Sequence, residues 1–330
     1  MSSGDQPVSS IGESGLLARF ATKLPSAPEG QTWSGDDAAV IEVAGATCLL
    51  TTDAIVEFVD FDLAYASGAD VGWKAVAINV SDIAAMGGRP ASAVATLALR
   101  PDHSVELVDD VLAGLLDASE NYDIAIVGGD VTEAAELALS VTMLGEVGEA
   151  EPVLRSGAKP GDALCVTGRL GGARTGHLVL SGKMDADRAD PAIRGCIERQ
   201  LRPIPRAKEG LVLGRFATAM IDLSDGLAID LRRLLDASGV GCEVDPAAIP
   251  VDPGITGAGL DPLDTAIVGG EDFELLCSIP AASVDAATAG VAECGTTLSR
   301  VGTITSQGAT IGSRSLDEWI GESWDHLRPR

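Results

Sequence analysis

The sequence predicts a two-domain α/β (α+β) protein in which sheets are backed by helices. Three observations carry that expectation. At 330 residues the chain has room for two domains or one large one. Short apolar runs alternate with segments whose apolar residues recur at helical spacing. Between the halves, Gly148–Pro160 (GEAEPVLRSGAKP) concentrates glycine, proline and charge, which places a boundary between residues 1–150 and 151–330.

Taken in order, residues 1–10 are polar and serine-rich and read as a frayed terminus. Ala46–Thr52 reads as an apolar strand ending in Asp53, and Asp70–Met86 as a mostly buried helix with Asp82 near its C-terminal end. Ser92–Leu99 is expected as a strand, and 104–120 as an amphipathic helix starting near Ser104. Asp123–Val127 is a short strand running into Gly128-Gly129-Asp130, followed by a strand at Leu137–Val147. The second half reads as a strand at Ala163–Thr167, a glycine turn at Gly168–Gly172, and a helix to about Ser181. A polar segment follows over 183–205, then a helix near 206–215, a strand at Thr218–Leu223 and a helix at Leu227–Ser238. Further strands are expected near 241–244, 265–268 and 273–279.

Composition narrows the function. The formal net charge of -26 argues against nucleic acid or an anionic membrane surface as a partner. It does not forbid phosphate ligands, because bound divalent cations reverse the local field. Only 3% of residues are aromatic, so the core must rest on Ala, Val, Leu and Ile. The acidic, lysine-poor, alanine-rich balance reflects either genome composition or a salty cytoplasm. The cysteines at 48, 165, 196, 242, 277 and 294 show no Cys-x-x-Cys spacing and read as buried free thiols. No apolar signal core or run of about 20 apolar residues is present, so a cytoplasmic protein is expected.

Chemistry concentrates in short acidic motifs. They are Gly35-Asp36-Asp37, Thr51-Thr52-Asp53, Ser81-Asp82, Gly128-Gly129-Asp130, Asp222-Leu223-Ser224-Asp225-Gly226 and Gly269-Gly270-Glu271-Asp272. A glycine-flanked carboxylate at a strand end lets a ligand approach the backbone. Any one of these motifs is also an ordinary polar turn, and helix capping alone accounts for Ser224 or Asp225. Together they read as carboxylates gathered by folding to hold Mg²⁺, whose remaining ligands are usually phosphates. There is no Gly-x-x-x-x-Gly-Lys-Ser/Thr loop, and the Gly168–Gly172 turn does not fit the dinucleotide fingerprint. Arg155 is a candidate phosphate contact, since guanidinium pairs phosphate bidentately, with a surface linker residue as the equal alternative. His103, His177 and His326 are too dispersed for a histidine metal centre.

The order of motifs resembles the thiamine-monophosphate kinase family, within the superfamily of aminoimidazole ribonucleotide synthetase. The matching run is Gly12-Glu13, GDDAAV (35–40), TTDAIVE (51–57), KAVAINVSDIAAMGG (74–88), GGDVT (128–132) and VTMLGEV (141–147) in the first half. It continues with RSGAKPGD (155–162), VTGRLGGA (166–173), DLSDGLAIDL (222–231), GGEDFELL (269–276) and Trp324-Asp325-His326. The resemblance implies a two-domain aminoimidazole ribonucleotide synthetase-like fold, with the N-terminal halves of two subunits pairing into a homodimer. It implies transfer of the ATP γ-phosphoryl group to thiamine monophosphate with several Mg²⁺ ions and no covalent phospho-enzyme. Matched motif by motif, it implies Asp37, Thr51, Thr52, Asp53, Asp82, Asp130, Asp222 and Asp225 as metal ligands. It implies Gly129, Asp130, Arg155 and Ser224 as nucleotide contacts, and Glu271 and Trp324 as substrate contacts. One departure stands out: Asp60 occupies the position of a substrate-holding His in the family. Asp60 is thus a substrate-contact candidate that puts substrate identity in question. A sister enzyme acting on another phosphorylated small molecule, or a non-catalytic nucleotide-binding paralogue, are the alternatives.

Overall fold

The computed structural model describes residues 7–148 and 151–321. The first half comprises α1 (Gly12–Ala21), β1 (Ala39–Val43), β2 (Ala46–Val56), α2 (Gly68–Ala85), β3 (Arg89–Leu99), α3 (Val105–Asn121), β4 (Ala125–Glu133) and β5 (Ala138–Glu146). The second begins with β6 (Ala163–Thr167), α4 (Gly172–Leu180), α5 (Pro191–Leu201), α6 (Ala207–Leu213), β7 (Ala219–Asp222), α7 (Leu227–Ser238) and β8 (Gly241–Val244). It ends with α8 (Gly254–Gly257), α9 (Pro262–Val268), β9 (Leu275–Ile279), α10 (Val284–Glu293), β10 (Leu298–Thr305), β11 (Ala309–Ile311), β12 (Arg314–Ser315) and α11 (Leu316–Ile320).

The first half forms a five-stranded sheet in the order β1-β2-β5-β3-β4, and the second a seven-stranded sheet in the order β12-β11-β8-β10-β6-β9-β7. Helix α2 is apolar nearly all round and is buried accordingly. A capping box between Ser67 and Asp70 starts it. One face of α2 lies on β2 and β5, another on α3, and its C-terminal part meets β7. The α2–α3 contact is backbone to backbone: a Cβ on Gly72 would sit 2.1 Å from the Val111 carbonyl oxygen, so only glycine fits. The N-terminal core gathers Leu49, Ile55, Val76, Ile83, Leu139 and Met143, and Phe273 from the second half inserts into it. The larger C-terminal core centres on Leu164, Ile221, Leu231, Leu234 and Leu276. Asp222 ends the edge strand β7, so the site lies where that edge meets α2.

Four expectations are corrected. Residues 265–268 are helical, because Asp261 caps the amides of Leu263 and Asp264 and Pro262 starts α9. The polar stretch 183–205 contains α5, started in the same way by Asp190 and Pro191. Strand β2 does not stop at Asp53, since β5 pairs with it as far as Val56. Gly128-Gly129-Asp130 is mid-strand rather than a strand end, because β3 pairs with β4 through to Glu133. No helix among the described residues is long and apolar enough to cross a membrane.

Candidate active site

Side chains alternate across a strand, so Thr51, Asp53 and Ile55 of β2 face α2. There the Thr51 hydroxyl donates to Asp82 Oδ2, and the Asp53 amide donates to Asn79 Oδ1 at 3.2 Å. One residue earlier on α2, the Ser81 hydroxyl donates to Asp222 Oδ2 at 2.6 Å and ties the helix to the end of β7. Asp37, from the loop before β1, closes the group. Asp37, Asp82 and Asp222 each offer a carboxylate oxygen, and these three atoms lie within 4.8 Å of one another. Asp37 Oδ2 is buried and has no hydrogen-bond partner among the described residues.

The electrostatics of this cluster are unfavourable as it stands. Burial raises the carboxyl pKa of Asp82, and the charges of Asp53, Asp222 and Asp37 add to it. Asp222 and Asp53 are raised in the same way, burial first and neighbouring carboxylates after it. Asp36 is pushed up to about 7 by burial and by the adjacent Asp37. Hard oxygen donors, mutual repulsion and an orphaned buried oxygen together suit a divalent cation, and Mg²⁺ fits this donor set.

Two arginines border the cluster. The Arg155 amide donates to both oxygens of Asp36, at 3.2 and 3.1 Å, and its Nη2 donates to Asp37 Oδ1 at 2.6 Å. Arg233 on α7 pairs with Asp225 at 2.6 Å and with Asp230 at 2.8 Å. Asp225 does not cap α7: Asp230 Oδ2 instead accepts the amides of Asp225 and Gly226. That leaves the Asp225 carboxylate turned to Arg233 beside the cluster.

A second locus lies near the N-terminal end of α2. Glu271 has the left-handed φ of 66° and Phe273 one of 49°, conformations that non-glycine residues rarely adopt. The segment is fixed by its neighbours. Asp272 accepts the amides of Gly171 and Ala173, and Glu274 is locked to Arg206 and the Thr167 hydroxyl. Glu271 is left facing Lys74, with Oε1 2.6 Å from Nζ. Asp60 Oδ2 accepts the Val56 amide at 2.8 Å across its own turn, while its carbonyl accepts Lys74 Nζ at 3.1 Å. The two loci are eight residues apart on one helix, about 12 Å.

The fold therefore brings together Asp37, Thr51, Asp53, Asp82 and Asp222, with Arg155 and Asp225 at the border. Ser224 lies beside Asp225, and its carbonyl accepts the Glu271 amide. Thr52 is on the opposite sheet face, where its hydroxyl meets Thr142 Oγ1 at 2.9 Å. Gly129 and Asp130 are exposed on β4, the far edge of the sheet, with β5 and β3 between them and β2. Within one chain neither the Thr52 hydroxyl nor Asp130 joins the cluster. Trp324 lies outside the described residues. Lys74, Gln200 and Arg233 were not singled out from sequence. Of these, Lys74 carries a signal, as the one basic residue in a largely apolar helix.

The AIR synthase related N-terminal domain matches residues 35–147 and the corresponding C-terminal domain matches 159–313. The two sheets thus have the architecture of that class. Among relatives, the thiamine-monophosphate kinase of Rhodopirellula baltica is 36% identical over 307 residues, covering 88% of this chain and 89% of the relative. That of Aquifex aeolicus is 35% identical over 274 residues, covering 82% and 86%. A solved structure of AaThiL complexed with AMPPCP and TMP superposes with a TM-score of 0.84 at 30% identity, covering 95% of this chain and 97% of that one. The chain belongs to the thiamine-monophosphate kinase family.

Proposed function

We propose that this protein transfers the γ-phosphoryl group of ATP to the phosphate of thiamine monophosphate, giving thiamine diphosphate and ADP. One observation carries the reading: the Asp37–Asp82–Asp222 cluster, with its orphaned oxygen, sits in a chain that aligns over 95% of its length with AaThiL complexed with AMPPCP and TMP. An acceptor phosphate oxygen attacks the γ-phosphorus in line, and the bond to the β–γ bridging oxygen breaks. The acceptor is already largely anionic at neutral pH, so no general base is required.

Asp37, Asp53, Asp82, Asp222 and Asp225, with Thr51, are the proposed Mg²⁺ holders, and bound Mg²⁺ supplies charge neutralisation at the phosphates. Arg155 and Ser224 are proposed to orient the nucleotide phosphates. Glu271 and Trp324 are proposed for the acceptor, with Asp60 lining the acceptor end through its turn and its carbonyl hold on Lys74. Residues 1–150 are proposed to carry the nucleotide, the metal and the dimer contact, and residues 151–330 to complete the cleft.

Thr52, Gly129 and Asp130 enter this scheme through a homodimer. Thr52 and Asp130 lie on the sheet face that α2 leaves open, three strand spacings apart, about 14 Å. Leu50 and Val94 are exposed on that face, 37% and 43%. We infer that two copies pair across it and that Asp130 serves the site of the other copy. A cytoplasmic setting is part of this reading.

The test is ADP release and thiamine diphosphate formation by the purified protein with ATP, Mg²⁺ and thiamine monophosphate. Equal amounts of both products are expected; ATP binding with neither product overturns the reading.

A further inference from the structure

Glu271 is held in its orientation from two sides. Lys74 is 3% exposed, and its Nζ lies 2.6 Å from Glu271 Oε1. Gln200 on α5 donates Nε2 to Glu271 Oε2 at 2.7 Å. Because a carboxylate can only accept, the Gln200 amide must face it through nitrogen. That leaves Gln200 Oε1 buried without a partner among the described residues, beside a small cavity lined by Asp60, Tyr65, Asp70 and Lys74. Lys74 is itself anchored by the Asp60 carbonyl at 3.1 Å. The pair spans the two halves of the chain, and Glu271 keeps about a third of its side chain exposed.

We propose that Lys74 and Gln200 are positioning residues that lock Glu271 in one orientation, so that it recognises the cationic, amino-bearing ring end of the acceptor. The inference rests on the reading that Glu271 contacts the acceptor. It follows from the layout of α2: a phosphate held near Asp82 leaves the rest of the acceptor to extend toward Lys74, about 12 Å away. A buried lysine facing a partly exposed carboxylate orients it and leaves its outer lone pairs free to accept.

The experiment compares steady-state kinetics of the wild type with Lys74→Met, Lys74→Arg, Glu271→Gln and the double variant Lys74→Met/Glu271→Gln. Thermal melts confirm that each one folds. Lys74→Met should raise KM for thiamine monophosphate about tenfold while kcat and KM for ATP stay within about twofold, the pattern of lost uniform binding. Lys74→Arg should recover most of that loss. The double variant should be no worse than Glu271→Gln alone, since Lys74 acts only through that carboxylate. An unchanged KM in Lys74→Met, or fully additive losses in the double variant, overturns the inference. If Lys74→Met does not fold, Lys74→Arg and a Gln200→Met variant, expected to raise the same KM about threefold, decide the question on their own. If the wild type turns over and Glu271→Gln has a normal KM, the placement of the acceptor is what fails.

Discussion

Asp82 is half-buried and Glu274 fully buried, and the fold treats these two acids in opposite ways. Glu274 is fully buried and answered on every side: Arg206 grips both oxygens, the Thr167 hydroxyl donates at 2.8 Å, and Arg199 approaches to 3.5 Å. Among the described residues, Asp82 meets the Thr51 hydroxyl and other carboxylates. A buried acid with its own cation is complete and structural. A half-buried acid facing other acids is complete only with something the chain does not provide. The partner separates the two roles.

The largest effect should come from Asp82→Asn. Turnover should fall by about 10²–10³-fold or more, because the neutral amide no longer helps hold charge at the transferring phosphate. The metal-free protein should melt higher than wild type, since one of the crowded charges is gone. Near-normal turnover would show that the cluster is not the reaction centre. Glu274→Gln should behave in reverse. It leaves Arg206 buried without its counter-charge, a loss of about 3–5 kcal/mol in stability, while folded protein keeps its turnover at low temperature. Denaturant unfolding beside single-temperature kinetics separates these outcomes, and equal effects of both variants on both readouts would erase the distinction.

Acidity offers a gentler test of the same contrast. Asp36 and Asp230 are both raised from 3.8 to about 7, mainly by burial. Groups whose pKa rises on folding stabilise the protonated fold, so their contribution is full below about pH 4 and is lost as pH climbs through about 7. Glu271, held below its usual range against burial by Lys74, acts the other way, and its contribution is lost only as pH falls toward the acid range. The Tm of chelator-treated protein should therefore decline between about pH 5 and 7.5, and Mg²⁺ should flatten that decline. Identical slopes with and without Mg²⁺ would remove the case for a metal at the cluster.

Much of this arrangement is legible in the sequence, for identifiable reasons. Asp37, Asp82 and Asp222 each sit in a short motif with glycine, serine or a second acid, and the register of β2 alone puts Thr51 and Asp53 on one face. The sequence misleads where pairing overrides local punctuation. Glycines 128 and 129 look like a strand end, but β3 pairs straight through them. Gln200 and Arg233 carry no sequence signal, because each is one of several polar residues on its helix. Their roles depend on contacts 71 residues away, as with Gln200 and Glu271, or on which carboxylate a helix turns toward.

Asp130 gives the smallest and most discriminating test, because it belongs to neither side of the comparison in a single chain. It is exposed, sits on the edge strand β4, and is separated from Asp53 by two intervening strands. Asp130→Asn alone should lower turnover, but so would damage to a distant part of the same chain. Mixing decides the matter. When Asp130→Asn and Asp82→Asn chains are unfolded together and refolded at equal ratio, half the dimers should carry one of each. If Asp130 serves the opposite copy, one of the two sites in such a dimer contains both native acids, and about a quarter of wild-type activity should return. If Asp130 acts within its own chain, or the protein is a monomer, the mixture stays as inactive as its components, and the open face of the sheet loses its assigned role.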